Sequence, residues 1–263
     1  MGEALREVFW NVPVSLQAVF YSAAFAVIVI FFVGLWVKVS IWLKGEDEEE
    51  SPLKGAGVFN FFILSFSKFF ALECLLARRV YRRSPLRALM LAGIVWSFII
   101  LFVGTLLSSI DHYLFSFLRG NVYFVYSFIL DIAGVVLMVG VIVALIRKYI
   151  IKPERMVVSL QDGIILSLLL LITVTGFLVE GARLAILQPL NMDWSPIGGL
   201  VASALGGIAT TTSLKSAYLL MWASHASFSL IFIAYIPYSK FFHIFAAQIT
   251  TYAASKRAEI RPI

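Results

Sequence analysis

The sequence predicts an all-α integral membrane protein: a five-transmembrane-helix bundle with its N-terminus outside, its C-terminus cytoplasmic, and one interfacial amphipathic helix. Three observations predict it. The 263-residue chain is 61% hydrophobic with 14% charged residues and a mean hydropathy of +0.94, whereas a soluble domain is roughly 45–50% apolar and about 25% charged. Its apolar residues come in blocks of about 20 or more, the length a helix needs to cross the hydrocarbon, and not in the short alternating runs of a barrel. The cations are also unevenly placed: nine lie in Lys38–Arg87, four in Arg147–Arg155 and four from Lys240 onward, against Arg6, Arg119, Arg183 and Lys215 for the opposite side. By the positive-inside rule the richer side is cytoplasmic. The net charge of +6 then describes a membrane rim, and no nucleic-acid-binding surface is expected.

The elements follow in order, as one membrane domain over residues 1–263. The first span is expected at Val19–Leu43; it lacks a small-residue cleavage site and is long enough to cross, so no cleavable signal is expected. The run Gly45 to Glu50 followed by Ser51-Pro52 breaks the helix as a solvated acidic turn, with a docking spot for a basic partner as the other reading. Phe59–Arg83 mixes Phe and Leu with Lys68, Glu73, Arg78, Arg79, Arg82 and Arg83. The apolar stretch before Lys68 is too short to span, so this segment reads as an interfacial helix on lipid phosphates or a partner subunit, closed by Pro85.

Further spans are expected at Leu89–Ile110, Val122–Ile146, Val157–Val179 and Ala217–Ile236. Between the last two, Ala185–Lys215 is rich in Gly and Thr and reads as either a half-inserted hairpin or a plain surface loop. The single cysteine, Cys74, excludes an intrachain disulfide and a cysteine-ligated cluster within this chain. No Walker loop, zinc spacing or nucleophile elbow is present.

Chemistry is carried by the polar residues placed where lipid is expected. His225 and His243 stand 18 residues apart on the last hydrophobic segment of a chain with three histidines. At 3.6 residues per turn this is about five turns, so both imidazoles leave one helix face about 27 Å apart, close to one bilayer core. Neutral imidazole is a good axial ligand for haem iron, and one helix so equipped is able to hold a haem in each leaflet.

His112 lies within about 4.5 Å of the level of His225 when Leu91 is set level with His243, which makes His112 with His225 the preferred outer pair. For the inner iron, Met90 is the other haem-ligand type at the right level of the second span, but it points about 100° away from Leu91, so a Met partner, a five-coordinate haem and no inner haem are the alternatives. A buried histidine bonded to a carbonyl, or one at the interface, is the competing reading for each.

Asp111, Asp131, Glu180 and Arg183 also gather toward the outer side, while Lys240 and Arg87 accompany His243. Asp131 and Glu180 read either as structural partners of Arg183 or Lys215, or as proton acceptors for a bound quinol. Arg183 is equally suited to a haem propionate.

The run Trp222-Ala-Ser-His225 through Tyr235-Ile-Pro-Tyr-Ser-Lys240-Phe-Phe-His243 resembles the last span of the nitrate reductase gamma subunit family. The similarity is greatest to the membrane subunits of heterodisulfide reductase and of the sulfite-reduction-linked Dsr complex. It extends to Gly104-Thr105, to Leu130-Asp131-Ile-Ala-Gly134, to Arg147-Lys-Tyr149 and to Thr175-Gly-Phe-Leu-Val-Glu180-Gly-Ala-Arg183, covering roughly residues 70 to 250.

The resemblance implies a multi-pass cytochrome b of a prokaryotic cell membrane, acting in a respiratory oxidoreductase complex. It implies one or two haems b, with His225 on the outer and His243 on the inner haem, and electron exchange between menaquinol or methanophenazine outside and a cytoplasmic iron–sulfur subunit like the catalytic subunit of heterodisulfide reductase. The second span departs from the family: the positions of its two histidine ligands fall at Val95 and Thr105 here, and neither ligates haem. Two rival classes remain, a cofactor-free anchor for a soluble enzyme and a small transporter.

Overall fold

The computed structural model describes residues 8–44, 85–152, 159–189, 192–239 and 242. The expected interfacial helix over Phe59–Arg83 and the inner ligand candidate His243 lie outside the described residues. Those described are helical with short connections: α1 (Val14–Lys44), α2 (Pro85–Tyr113), α3 (Gly120–Leu145), α4 (Leu160–Leu187), α5 (Pro196–Ile208) and α6 (Thr211–Tyr235). Among the described residues, five helical segments are long and apolar enough to cross a membrane, Val14–Lys38, Arg87–Tyr113, Gly120–Ile151, Leu160–Leu187 and Thr211–Tyr238. Each contains most of an expected span.

The differences lie at the ends and in one connection. α4 continues past Val179 to Leu187, so Glu180 and Arg183 belong to the helix body. The Ala185–Lys215 connection is not a plain loop, because Pro196–Ile208 forms the short helix α5.

Local chemistry explains the boundaries. The turn between α2 and α3 is closed by Asp111, whose Oδ1 accepts the backbone N–H groups of Phe117 and Leu118, both at 2.6 Å. Gly120 then starts α3 at φ +53°, in the left-handed region that only glycine enters without strain. α3 runs into a π-helical turn, Ile146–Ile151, which stops where Lys152 adopts φ 45° and donates its N–H to Arg147 O. α4 ends similarly, with Gln188 left-handed and its N–H on Leu184 O, a turn that satisfies an otherwise orphaned carbonyl.

The chain folds as two compact units, Met1–Ala24 with Gly93–Ile231, and Phe25–Ala92 with Phe232–Ile263. In the first, small residues let helices approach closely, as they must where van der Waals packing rather than water exclusion drives association. A Cβ on Gly134 of α3 would stand 2.7 Å from Phe177 Cζ of α4, and one on Gly140 would stand 2.8 Å from Ile94 Cγ1 of α2. The Tyr126 hydroxyl of α3 donates to Gly104 O of α2 at 2.8 Å.

The N-terminal stretch before α1 belongs to this unit. Val12 is buried with Ala182, Leu214 and Tyr218, and the Trp10 ring meets Tyr218 edge-on at 5.0 Å. In the second unit, Gly34 of α1 receives Pro237 and Tyr238, and the Tyr238 hydroxyl donates to Ile30 O at 3.2 Å.

Candidate functional site

His225 sits in the body of α6, half-buried against α4. Its Nδ1 lies 3.0 Å from Ile172 O and 3.2 Å from Thr175 Oγ1. A carbonyl only accepts, and the Thr175 hydroxyl proton is directed to Leu171 O at 2.6 Å, so Nδ1 carries the ring hydrogen. This leaves Nε2 as the lone-pair nitrogen of the neutral ring. A backbone carbonyl that fixes the tautomer and ring orientation from behind is the usual support for a metal-bound imidazole. Gly176 makes room for the ring: a Cβ there would stand 3.3 Å from His225 Cε1. The ring is thus held from its Nδ1 side in the way that a metal-bound imidazole usually is.

One turn or more toward the C-terminal end of α4, a polar network closes on itself. Arg183 is 7% exposed, an expensive position for a guanidinium in lipid. Its Nε and Nη2 donate to the two oxygens of Glu180 at 3.1 and 2.7 Å, and Nη2 also donates to the Tyr123 hydroxyl at 2.7 Å. Charge is thus balanced within one helix turn, and Tyr123 brings α3 into the pair.

Asp131, buried on α3, takes a different partner: its Oδ2 accepts Ile197 N–H at 2.7 Å and its Oδ1 accepts Gly198 N–H at 3.3 Å. These are the second and third residues of α5, whose own preceding residue, Ser195, makes no side-chain cap. Asp131 caps α5 from another helix, where carboxylate charge meets orphan N–H groups and the positive dipole end. Gly198 joins the two groups, since a Cβ there would also stand 3.3 Å from Glu180 Cγ.

His112 lies on α2. It is exposed at the end of α2, with the Tyr113 ring 4.7 Å away at 77° and the Phe9 ring 5.7 Å away at 67°. Phe9 in turn lies 5.9 Å from Trp222, one turn before His225 on α6. Met90 is half-buried and Arg87 exposed on α2.

The structure thus gathers Asp131, Glu180 and Arg183 about the start of α5, sets His225 against α4, and sets His112 among N-terminal and α2 aromatics. Sequence reasoning did not identify Tyr123, Ile172, Phe9 or Tyr113. The one available signal was Tyr123 itself, a hydroxyl inside a span at the depth of a buried cation.

No family model matches the chain, and no solved structure matches it. Among curated proteins, the EtfAB:quinone oxidoreductase of Syntrophomonas wolfei subsp. wolfei (strain DSM 2245B / Goettingen) is 30% identical over 133 residues, 49% of this chain and 17% of that protein. The chain spans less than a fifth of the length of the relative it matches. Its described residues are helical, with five segments long and apolar enough to cross a membrane, and the chain is similar over about half its length to part of a quinone oxidoreductase.

Proposed function

We propose that this chain is the haem b-containing membrane subunit of a quinol-linked oxidoreductase complex, exchanging electrons between a menaquinol- or methanophenazine-type carrier at the outer side and a cytoplasmic iron–sulfur subunit. The observation that carries the reading is His225, whose Nδ1 faces Ile172 O at 3.0 Å, the support a metal-bound imidazole usually has; Nε2 would then be the ligating nitrogen. His243, 18 residues further, would serve an inner haem about five turns away. Similarity to part of a quinone oxidoreductase supports the quinone side. The excess of Lys and Arg in the Lys38–Arg87, Arg147–Arg155 and C-terminal segments supports a cytoplasmic C-terminus and a basic face for an acidic partner.

Haem b would supply one-electron transfer between the two leaflets. The protein's own contribution is positional. Ile172 O and Thr175 orient the His225 ring, and Gly176 leaves space beside it. Asp131 accepts from the first turn of α5 and Glu180 from Arg183, which favours a positioning role for both over proton transfer. Arg183, with Nε and Nη2 committed, offers Nη1 to a propionate.

A pyridine haemochrome assay on the purified complex, corrected for any haem-bearing partner, tests the reading. One or two b haems per chain are expected, with the outer haem lost in His225→Ala and an inner one lost in His243→Ala. Absence of haem from the wild type would favour a cofactor-free anchor. Unchanged haem content in both variants would remove the ligand assignment.

A further inference from the structure

Two aromatic rings, Phe9 and Tyr113, touch the His112 imidazole at the end of α2, and Phe9 links it to three more, Phe20, Tyr21 and Trp222. Phe9 packs against His112 at 5.7 Å, Tyr21 at 5.6 Å and Trp222 at 5.9 Å, and Phe20 meets Trp222 at 5.5 Å. Tyr113 lies edge-on to His112 at 4.7 Å, and its hydroxyl is hydrogen-bonded to that of Tyr21. The rings come from the N-terminal stretch, α1, α2 and α6, all within the first compact unit. Tyr21 and Tyr113 remain 42% and 57% exposed, so the cluster opens to its surroundings.

The polar groups divide sharply. Asp131 is occupied by two backbone N–H groups, Glu180 by Arg183, Arg183 by Glu180 and Tyr123, and the Nδ1 of His225 by Ile172 O. Among the described residues His112 has ring contacts but no hydrogen bond, although it can both donate and accept one.

A planar, mostly apolar ring with oxygen atoms at its edge is the ligand such a place suits. Aromatic walls take its faces and edges, the imidazole takes an oxygen, and the open side lets an isoprenoid tail stay in lipid. An aromatic belt at the membrane surface would account for the tyrosines and tryptophan, but it gives no use for the imidazole.

We propose that this cluster is the binding site for the headgroup of a membrane quinone, with His112 hydrogen-bonding a quinone oxygen and Phe9, Tyr113 and Trp222 forming its walls. The proposal rests on the quinone-linked reading above and assigns His112 to the quinone instead of to haem iron.

The test is titration of the full chain in lipid nanodiscs with a short-tailed naphthoquinone, followed by tryptophan quenching, beside haem content per chain. His112→Ala should weaken binding about tenfold, the order expected for one lost hydrogen bond, with haem content unchanged. His112→Gln, which keeps a donor and an acceptor, should recover most of the affinity, and Phe9→Ala should lose part of it. Unaltered affinity in His112→Ala, when the wild type binds, would overturn this site alone and leave only an aromatic belt. Loss of haem in His112→Ala would overturn it in favour of an iron ligand. Failure of the wild type to bind the naphthoquinone would overturn both the site and the quinone-linked reading.

Discussion

Asp131 holds Ile197 across 66 residues of sequence: the carboxylate of α3 accepts the N–H of the second residue of α5 at 2.7 Å. The helix whose first turn would otherwise present unpaired donors is fastened to its neighbour by one side chain. Asp131→Ala should therefore destabilise the protein by about 1–3 kcal/mol, the cost of stranding buried donors. Proteolysis should then cut first within residues 189–210. Asp131→Asn, which keeps an acceptor oxygen, should fall between. If Asp131 instead took protons from quinol, the Asn variant would keep its thermal stability and lose turnover, and the two measurements together separate these roles.

Arg183 and Glu180 lie one turn apart on α4 with Nη2 to Oε1 at 2.7 Å. Removing the carboxylate alone leaves a buried cation with only a tyrosine hydroxyl. Because the Glu180 side chain is 28% exposed, the loss should stay below that of a fully buried pair, about 1–3 kcal/mol for Glu180→Ala. The double variant Glu180→Leu with Arg183→Met should be more stable than Glu180→Ala, since no charge is then stranded. Thermal unfolding in detergent of Glu180→Leu, of Arg183→Met and of the double gives the coupling. Additive losses would show that the pair is not the source of the effect.

What the sequence disclosed depended on whether partners were local. The long spans could be read because apolar blocks of about 20 residues have few alternatives to crossing a membrane, and Glu180 paired with one of the two cations proposed for it because that cation is three residues away. α5 was harder to see: four glycines among the 13 residues of Pro196–Ile208 lower its helix propensity. They are held by a carboxylate from another helix. The spacing of His225 and His243 was legible, but the carbonyl that fixes the His225 tautomer comes from Ile172, 53 residues away. Nor does any periodicity signal that Phe9, outside every span, packs on His112.

Close helix approach gives a third prediction. Gly134 of α3 faces the Phe177 ring, and a Cβ there would meet Cζ at 2.7 Å. Gly134→Ala forces either the ring or the helices apart, and overpacking of this kind costs about 1–3 kcal/mol. The melting temperature should fall, while a small-to-small change at Gly207, which has open space around its Cα, should leave it unaffected. Equal melting temperatures for the two variants would mean that Phe177 yields without resistance.

The same reasoning at Gly176 separates packing from ligation. A methyl there stands 3.3 Å from His225 Cε1 and 3.6 Å from Nδ1, so the neighbour must give by a few tenths of an ångström. That neighbour is an imidazole whose Nδ1 meets Ile172 O at 3.0 Å and Thr175 Oγ1 at 3.2 Å. Gly176→Ala should therefore turn the ring before it separates the helices, at a modest cost of about 0.5–1.5 kcal/mol for an off-rotamer side chain. Global stability should barely change, but Nε2, the nitrogen proposed to bind iron, would be re-aimed. The expected outcome is a clear loss of the outer haem, or a changed low-spin signal in electron paramagnetic resonance, with a melting temperature close to wild type. Gly134→Ala should do the reverse, lowering stability while the haem signal keeps its shape in the folded fraction. A Gly176→Ala protein with wild-type haem content and spectrum would argue that the iron does not sit on the face of α6 that His225 presents.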